Sequence, residues 1–283
     1  MAQETSLHRK VGFAGAGNMA RAIAGGIVAR GLVAAGEVGA SDVALSALDA
    51  FRSVAGEDSL GFGEDNAALA EWADIVVLAT KPFQAAGVCS TMAPHWGPEK
   101  LLISICAGIR SDRLESALAG GREGSRPRVV RVMPNTPALI GAGTAGVAAG
   151  SFATAEDGAL AVEVFRAVGG AVAVDESKMD LVTGLSGSGP AYVFRFMEVL
   201  IEAGMELGLS REEAEGLVPG MVLGSARLAL ESGKPLHELR AAVTTKGGTT
   251  EAGLRVLAEG GLDELVLEAV RAATIRGAEL ASA

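Results

Sequence analysis

The spacing of apolar and polar positions changes character once along the chain. Up to about Asp175, short apolar runs alternate with stretches of helical period; from Glu176 onward the helical period persists. In the first regime "KVGFAGAG" (Lys10–Gly17) reads as a buried strand running into glycines, and "NMARAIAGGIVAR" continues as a helix. Further strands are expected over Glu37–Asp42, Ala73–Thr80, Lys100–Gly108 and Arg128–Asn135, with two weaker ones in "GTAGVAAG" and "GAVAVD". "ADIVVLAT" is apolar without a break once it starts, which is what a strand covered on both faces requires. Strands alternating with helices predict a parallel sheet flanked by helices.

In the second regime "GPAYVFRFMEVLIEAGMELG" opens with Pro190 near its first turn, a natural helix start. "SREEAEGLVPGMVLGSARLALESG" places Ser210 as N-cap with acidic residues behind it, and Pro219 and Gly220 should kink the helix. "LDELVLEAVRAATIRGAEL" is a last amphipathic helix. The pattern divides the chain into an α/β domain over residues 1–175 and an all-helical domain over 176–283.

Composition narrows the function classes. Hydrophobic residues make up 49% and aromatics only 4%, so the cores must be built from Ala, Val, Leu and Ile. A net charge of −10 argues against nucleic acid as a partner, because that needs a basic footprint. Arg122, Arg126, Arg128 and Arg131 read as a solvated loop feeding a strand. Cys89, Cys106 and the scattered His8, His95 and His237 form no metal-ligand pattern, so no metal is expected. The N-terminus has no apolar signal segment, and the most apolar helical run carries Arg195, Glu198 and Glu202. A soluble cytoplasmic protein without a membrane span is the expectation.

Chemistry concentrates in loops. Gly15, Gly17 and Ala20 in "GAGNMA" follow a strand and open a helix. That context suits a dinucleotide: a tight turn, close backbone approach to a pyrophosphate, and a small residue for helix–strand packing. The second strand ends in Ala40-Ser41-Asp42; Ser41 is a donor for a 2′-phosphate, whereas an inward Asp42 would repel one, so NAD and NADP both stay open. No histidine falls in a loop at a strand's carboxyl end. Lys81 in "ATKPF" does, as a catalytic, cofactor-adjacent or solvated group. "VMPNTPA" holds Asn135 and Thr136 between prolines, and "LSGSGPA" precedes a long helix, as an anion site or a cap. "VTTKGGTTEAG" (Val243–Gly253) interrupts the helical half with four threonines and adjacent glycines. Such loops suit a substrate that needs positioning more than strong acid–base help.

Taken together, "GFAGAGNMA", "ADIVVLATKP", "ISICAGI", "VVRVMPNTPALIGAG", "LSGSGPAYVFRFMEVL", "VTTKGGTTEAGL" and "AVRAATIRGAEL" resemble the pyrroline-5-carboxylate reductases over nearly the whole chain. The resemblance implies a Rossmann-type N-terminal domain followed by an all-α dimerisation domain, in a homodimer or a decamer built from dimers. It implies hydride transfer from NAD(P)H to the imine carbon of 1-pyrroline-5-carboxylate, giving L-proline, with NADP(H) preferred and NAD(H) possible. It also assigns roles: Gly248 and Thr249 would offer backbone amides to the substrate carboxylate, and Thr250, the catalytic position, a hydroxyl to the ring nitrogen. Gly12, Gly15, Gly17, Asn18 and Met19 would contact the pyrophosphate, Ser41 and Asn66 the adenosine end, Ala79, Lys81 and Pro82 the length of the cofactor, and Asn135 the nicotinamide side.

Two residues depart from the family pattern. Lys246 stands where a proline is usual, either as a cation for the substrate or as a solvated side chain. Asp42 stands where relatives often have a neutral or basic residue, and it blunts the preference for NADPH. A β-hydroxyacid dehydrogenase would need a catalytic lysine early in the second domain, where only Lys178 lies, without the expected glycine-rich helix. A non-catalytic NAD(P) sensor would have no reason to keep "GGTT" or "MPNTP".

Overall fold

A computed structural model describes residues 7–282. Its sheet has eight strands: β1 (Val11–Ala14), β2 (Val38–Ser41), β3 (Leu60–Gly61), β4 (Ile75–Leu78), β5 (Leu101–Ser104), β6 (Arg128–Met133), β7 (Gly143–Ala149) and β8 (Gly169–Ala173). They lie in the order β3-β2-β1-β4-β5-β6-β7-β8. The first six are mutually parallel; β7 runs antiparallel to β6, and β8 parallel to β7. Two features differ from the sequence expectation. The edge strand β3 is only a residue pair on exposed chain, too short for a periodic signal, and β7 reverses direction after a connection far too short for a helical crossover.

The helices α1 (Asn18–Ala29), α2 (Leu45–Ala55) and α6 (Ala155–Arg166) belong to one side of the sheet, and α3 (Asn66–Trp72), α4 (Ala85–Met92) and α5 (Ser111–Ala119) to the other. Strand residues divide between two cores by parity. Phe13, Ile75, Val77, Leu101, Ile103 and Val130 enter the first core; Ala14, Val76, Leu78, Leu102 and Val129 enter the second. This is why "IVVL" is apolar at every position. Each such side chain contributes roughly 1.5–3 kcal/mol of burial. Phe13 and Phe51 join strand to helix with ring centroids 5.4 Å apart. On the other face α3 reaches β1 closely because residue 12 is glycine: a Cβ there would meet Leu69 at 2.9 Å.

The remainder is helical: α7 (Met179–Val182), a π-helical turn (Thr183–Gly187), α8 (Gly189–Glu206), α9 (Arg211–Ser232), α10 (Leu236–Ala242), α11 (Thr249–Glu259) and α12 (Leu262–Ser282). The chain forms two units, one of residues up to Ser188 with those from Ala273 on, the other Gly189–Ala272. In the second unit Ser210 and Glu213 form a reciprocal capping box that starts α9. Pro219 sits inside α9 without ending it. Gly204 on α8 lies against α9, the position of its missing Cβ being 3.6 Å from Ala214 Cβ. No helix among the described residues is long and apolar enough to cross a membrane, and no metal-binding cluster occurs among them.

Candidate cofactor and substrate sites

The order β2-β1-β4 creates a switch point. The chain runs outward from β1 to β3, then crosses back to β4 on the other side of β1. The loops leaving β1 and β4 therefore diverge, and open a crevice at the carboxyl ends of the strands. A cleft of about 460 Å³ lies there, lined by Gly15, Gly17, Asn18, Met19, Asp42, Ala79, Thr80, Lys81, Ile105, Met133 and Pro134 among others. A smaller adjoining hollow of about 80 Å³ is lined by Gly15, Ser41, Asp42 and Asn66.

The two glycines of the turn are there for different reasons. Gly15 has φ +101°, and a Cβ on it would stand 2.8 Å from the carbonyl oxygen of Ala79. Gly17 has an ordinary extended backbone (φ −70°, ψ −177°) and no atom within 4 Å of where a Cβ would be. The space beside it belongs to the cleft. Gly17 caps α1 without any side-chain hydrogen bond, and the first helical bond runs from Arg21 N to Gly17 O at 3.0 Å. The amides of Asn18, Met19 and Ala20 are thus open at the positive end of a helix, the arrangement that holds a diphosphate. The residues fit a dinucleotide.

Of the other residues that the resemblance assigns to the cofactor, Gly12, Pro82 and Asn135 do not line the cleft, and Ser41 lines the small hollow beside it. Gly12 lies within β1 and lines neither hollow; it makes room for Leu69 instead. Ser41 is buried, and its hydroxyl donates to Asn66 Oδ1 at 2.7 Å. Pro82 lines a separate apolar groove with Phe83 and Ile109. Asn135 spends its amide on the fold: Oδ1 accepts from Thr144 N at 2.8 Å and Nδ2 donates to Ser186 O at 3.3 Å. That bond brings the "MPN" loop to "LSGSG", where Gly187 leaves space for Met133; a Cβ would meet its Cε at 2.6 Å. "LSGSG" is not an open helix start, since Ser188 N already donates to Thr183 O across the π-turn. Thr80, Ile105, Met133 and Pro134 also line the cleft, and their places just after or at the end of β4, β5 and β6 are their signal in the sequence.

In the helical unit, "GGTT" forms the start of α11. Gly248 is the N-cap and Gly247 has φ +75°. Gly248 N donates to Thr245 O at 2.9 Å, so its amide is not available to a carboxylate, contrary to the expectation. The first helical bond runs from Ala252 N to Gly248 O at 3.2 Å, which leaves the amides of Thr249 and Thr250 open. The Thr250 hydroxyl has no partner among the described residues. Glu251, unforeseen, reaches back to accept from Gly247 N at 2.6 Å. That contact lies one residue before the N-cap, four positions back from Glu251. Lys246 is exposed and makes no hydrogen bond or ion pair among the described residues.

Comparison with known proteins agrees with both halves. A family model for pyrroline-5-carboxylate reductase dimerisation matches residues 176–280, and one for NADP oxidoreductases, coenzyme F420-dependent, matches 10–108. A pyrroline-5-carboxylate reductase of Pseudomonas aeruginosa is 42% identical over 96% of this chain and 97% of its own. The chain belongs to the pyrroline-5-carboxylate reductase family. A family member from Arabidopsis thaliana is 37% identical over 96% of this chain and 95% of its own. Among solved reductases of the family, that of Coxiella burnetii superposes with a TM-score of 0.89 at 39% identity, covering 96% of this chain and 98% of its own. That of Plasmodium falciparum, with NADP bound, gives 0.80 at 32%, covering 98% and 99%. The chain thus joins the Rossmann-type unit of this reductase family to its helical dimerisation domain.

Proposed function

We propose that this chain reduces 1-pyrroline-5-carboxylate to L-proline, with NADPH as the preferred hydride donor and NADH as an alternative. The observation that carries the reading is the open cradle at Gly17, set at the β1/β4 switch point of a chain in this family. When bound, the nicotinamide supplies the hydride.

The protein's own part is positional. The open amides of Asn18 and Met19 hold the diphosphate, with Gly15 and Gly17 keeping side chains out of its way. Ala79 and Lys81 border the cofactor, and Asn66, oriented by Ser41, serves its adenosine end. The amides of Thr249 and Thr250 receive the substrate carboxylate. The Thr250 hydroxyl donates to the imine nitrogen as it gains electron density. A protonated imine is already electrophilic, so alignment of donor and acceptor supplies most of the acceleration. That explains a site without a histidine.

We further propose that residues 1–175 bind dinucleotide and 176–283 bind substrate and dimerise, in a homodimer or a decamer of dimers in the cytoplasm; of the second stretch, residues up to Ser188 and from Ala273 on cluster with the sheet-bearing unit. Steady-state oxidation of NADPH and NADH with pyrroline-5-carboxylate tests the function. Absence of turnover with either cofactor would remove it. Light scattering on the purified protein decides between dimer and decamer.

A further inference from the structure

Asp42 stands just beyond β2, at the ribose end of the cleft, where an acidic residue in a dinucleotide fold ordinarily takes the ribose hydroxyls. Here both carboxylate oxygens already have backbone donors. Oδ2 accepts from Ala16 N at 2.9 Å, and Oδ1 accepts from Ala44 N at 2.9 Å. Ala16 is the residue between Gly15 and Gly17, and its amide is fully buried against the turn. No other partner for that amide occurs among the described residues. The base of Asp42 is fixed as well, because its own N–H donates to Gly63 O at 2.7 Å, while Ser41 O accepts from Gly15 N at 2.8 Å. The turn after β1 is therefore pinned to the end of β2 at two successive residues, once by backbone and once by this carboxylate.

From this geometry we infer that Asp42 is a positioning residue for the cofactor. It holds the glycine turn in the shape that presents the Asn18 and Met19 amides to the diphosphate, whichever nicotinamide cofactor is bound. The inference rests on the dinucleotide reading of the cleft, but not on the identity of the imine substrate. The diphosphate is common to NADH and NADPH, so a loosened turn weakens both. A residue acting as a ribose ligand would instead discriminate between them.

Asp42→Glu separates the two roles. It keeps the charge and the ability to take ribose hydroxyls, since either acid serves that purpose. Its extra methylene displaces the carboxylate from the Ala16 and Ala44 amides. Affinities for NADH and NADPH are read by calorimetry without imine substrate, and amide exchange of the Gly15–Asn18 segment by mass spectrometry without any ligand. Both dissociation constants are expected to rise about tenfold, or 1.4 kcal/mol, with their ratio unchanged and exchange in the turn accelerated. Retained affinity for either cofactor, or unchanged exchange, overturns the inference. If Asp42→Glu does not fold, Asp42→Asn loses one of the two acceptor bonds, and the same joint weakening with faster exchange is required. Failure of wild type to bind either cofactor would instead remove the dinucleotide reading itself.

Discussion

Arg131 on β6 and Glu176, which follows the last strand, form a 3.0 Å ion pair with the guanidinium almost wholly enclosed. Ser111 donates to the same carboxylate through both its backbone N–H, at 2.8 Å, and its hydroxyl, at 2.5 Å. Burial acts to raise the Glu176 pKa, but the Ser111 hydrogen bonds and the Arg131 charge outweigh it and hold the group below its ordinary value. The folded pKa lies below the unfolded one, so the stabilisation is present above about pH 4.5 and is lost as pH falls through the folded value. Glu115 behaves oppositely. Its burial raises its pKa, so its charge opposes folding at neutral pH and protonation relieves that as pH falls. Glu176→Gln should cost about 2–3 kcal/mol at pH 7, because it leaves Arg131 enclosed without its countercharge. Urea unfolding at pH 7 and pH 4 checks this; the variant should lose less stability between the two than wild type does.

The glycines of the turn should separate under mutation. Gly15→Ala combines a positive φ with contact on the Ala79 carbonyl, and is expected to lower the thermal midpoint by roughly 5 °C. Gly17→Ala meets no protein atom and keeps an allowed backbone. Its midpoint should stay within about 2 °C, while NADPH affinity falls about tenfold because the methyl occupies the diphosphate's space. Paired calorimetry of unfolding and of binding distinguishes them.

Thr250→Ala should reduce kcat/KM for the imine about 100-fold, the loss of one hydrogen bond to the nitrogen as its lone pair forms. Thr250→Ser restores the hydroxyl, and should recover activity to within about tenfold of wild type. NADPH affinity should be unchanged in both variants. Equal losses in Ala and Ser would assign the position to packing.

The two cysteines should be silent toward thiol reagents until the protein unfolds. Burial, and then the neighbouring Cys106, pushes the Cys89 thiol up to about 12, and burial also raises Cys106. At pH 8 the Cys89 thiolate is roughly one molecule in ten thousand. Ellman's reagent should therefore report no fast thiol in native protein and both in denaturant.

Periodicity made the central strands legible because β1, β4, β5 and β6 are covered on both faces, so apolar runs replace alternation, without a break in β4 and interrupted in β6 by Arg131. β3 left no such trace, being a residue pair held by Ala40 and Gly39 of its neighbour. The cofactor turn was legible from Gly15 and Gly17, since backbone geometry and open space both demand glycine. The commitments of Ser41, Asn135 and Gly248 were not, because each is decided by a partner whose proximity only the folded chain reveals: Asn66, Thr144 with Ser186, and the Thr245 carbonyl. A sequence shows which residues can donate. It does not show which donors are already used.

The unit Gly189–Ala272 encloses a single apolar side chain completely, that of Ala214, while Phe194, Phe196, Leu217, Met221, Leu228 and Val256 face outward. A chain segment with almost no interior of its own cannot supply its own cohesion. For this unit, then, folding is second order. Its melting temperature should climb with protein concentration by mass action, whereas the sheet-bearing unit, with two enclosed cores, should melt at a temperature independent of dilution.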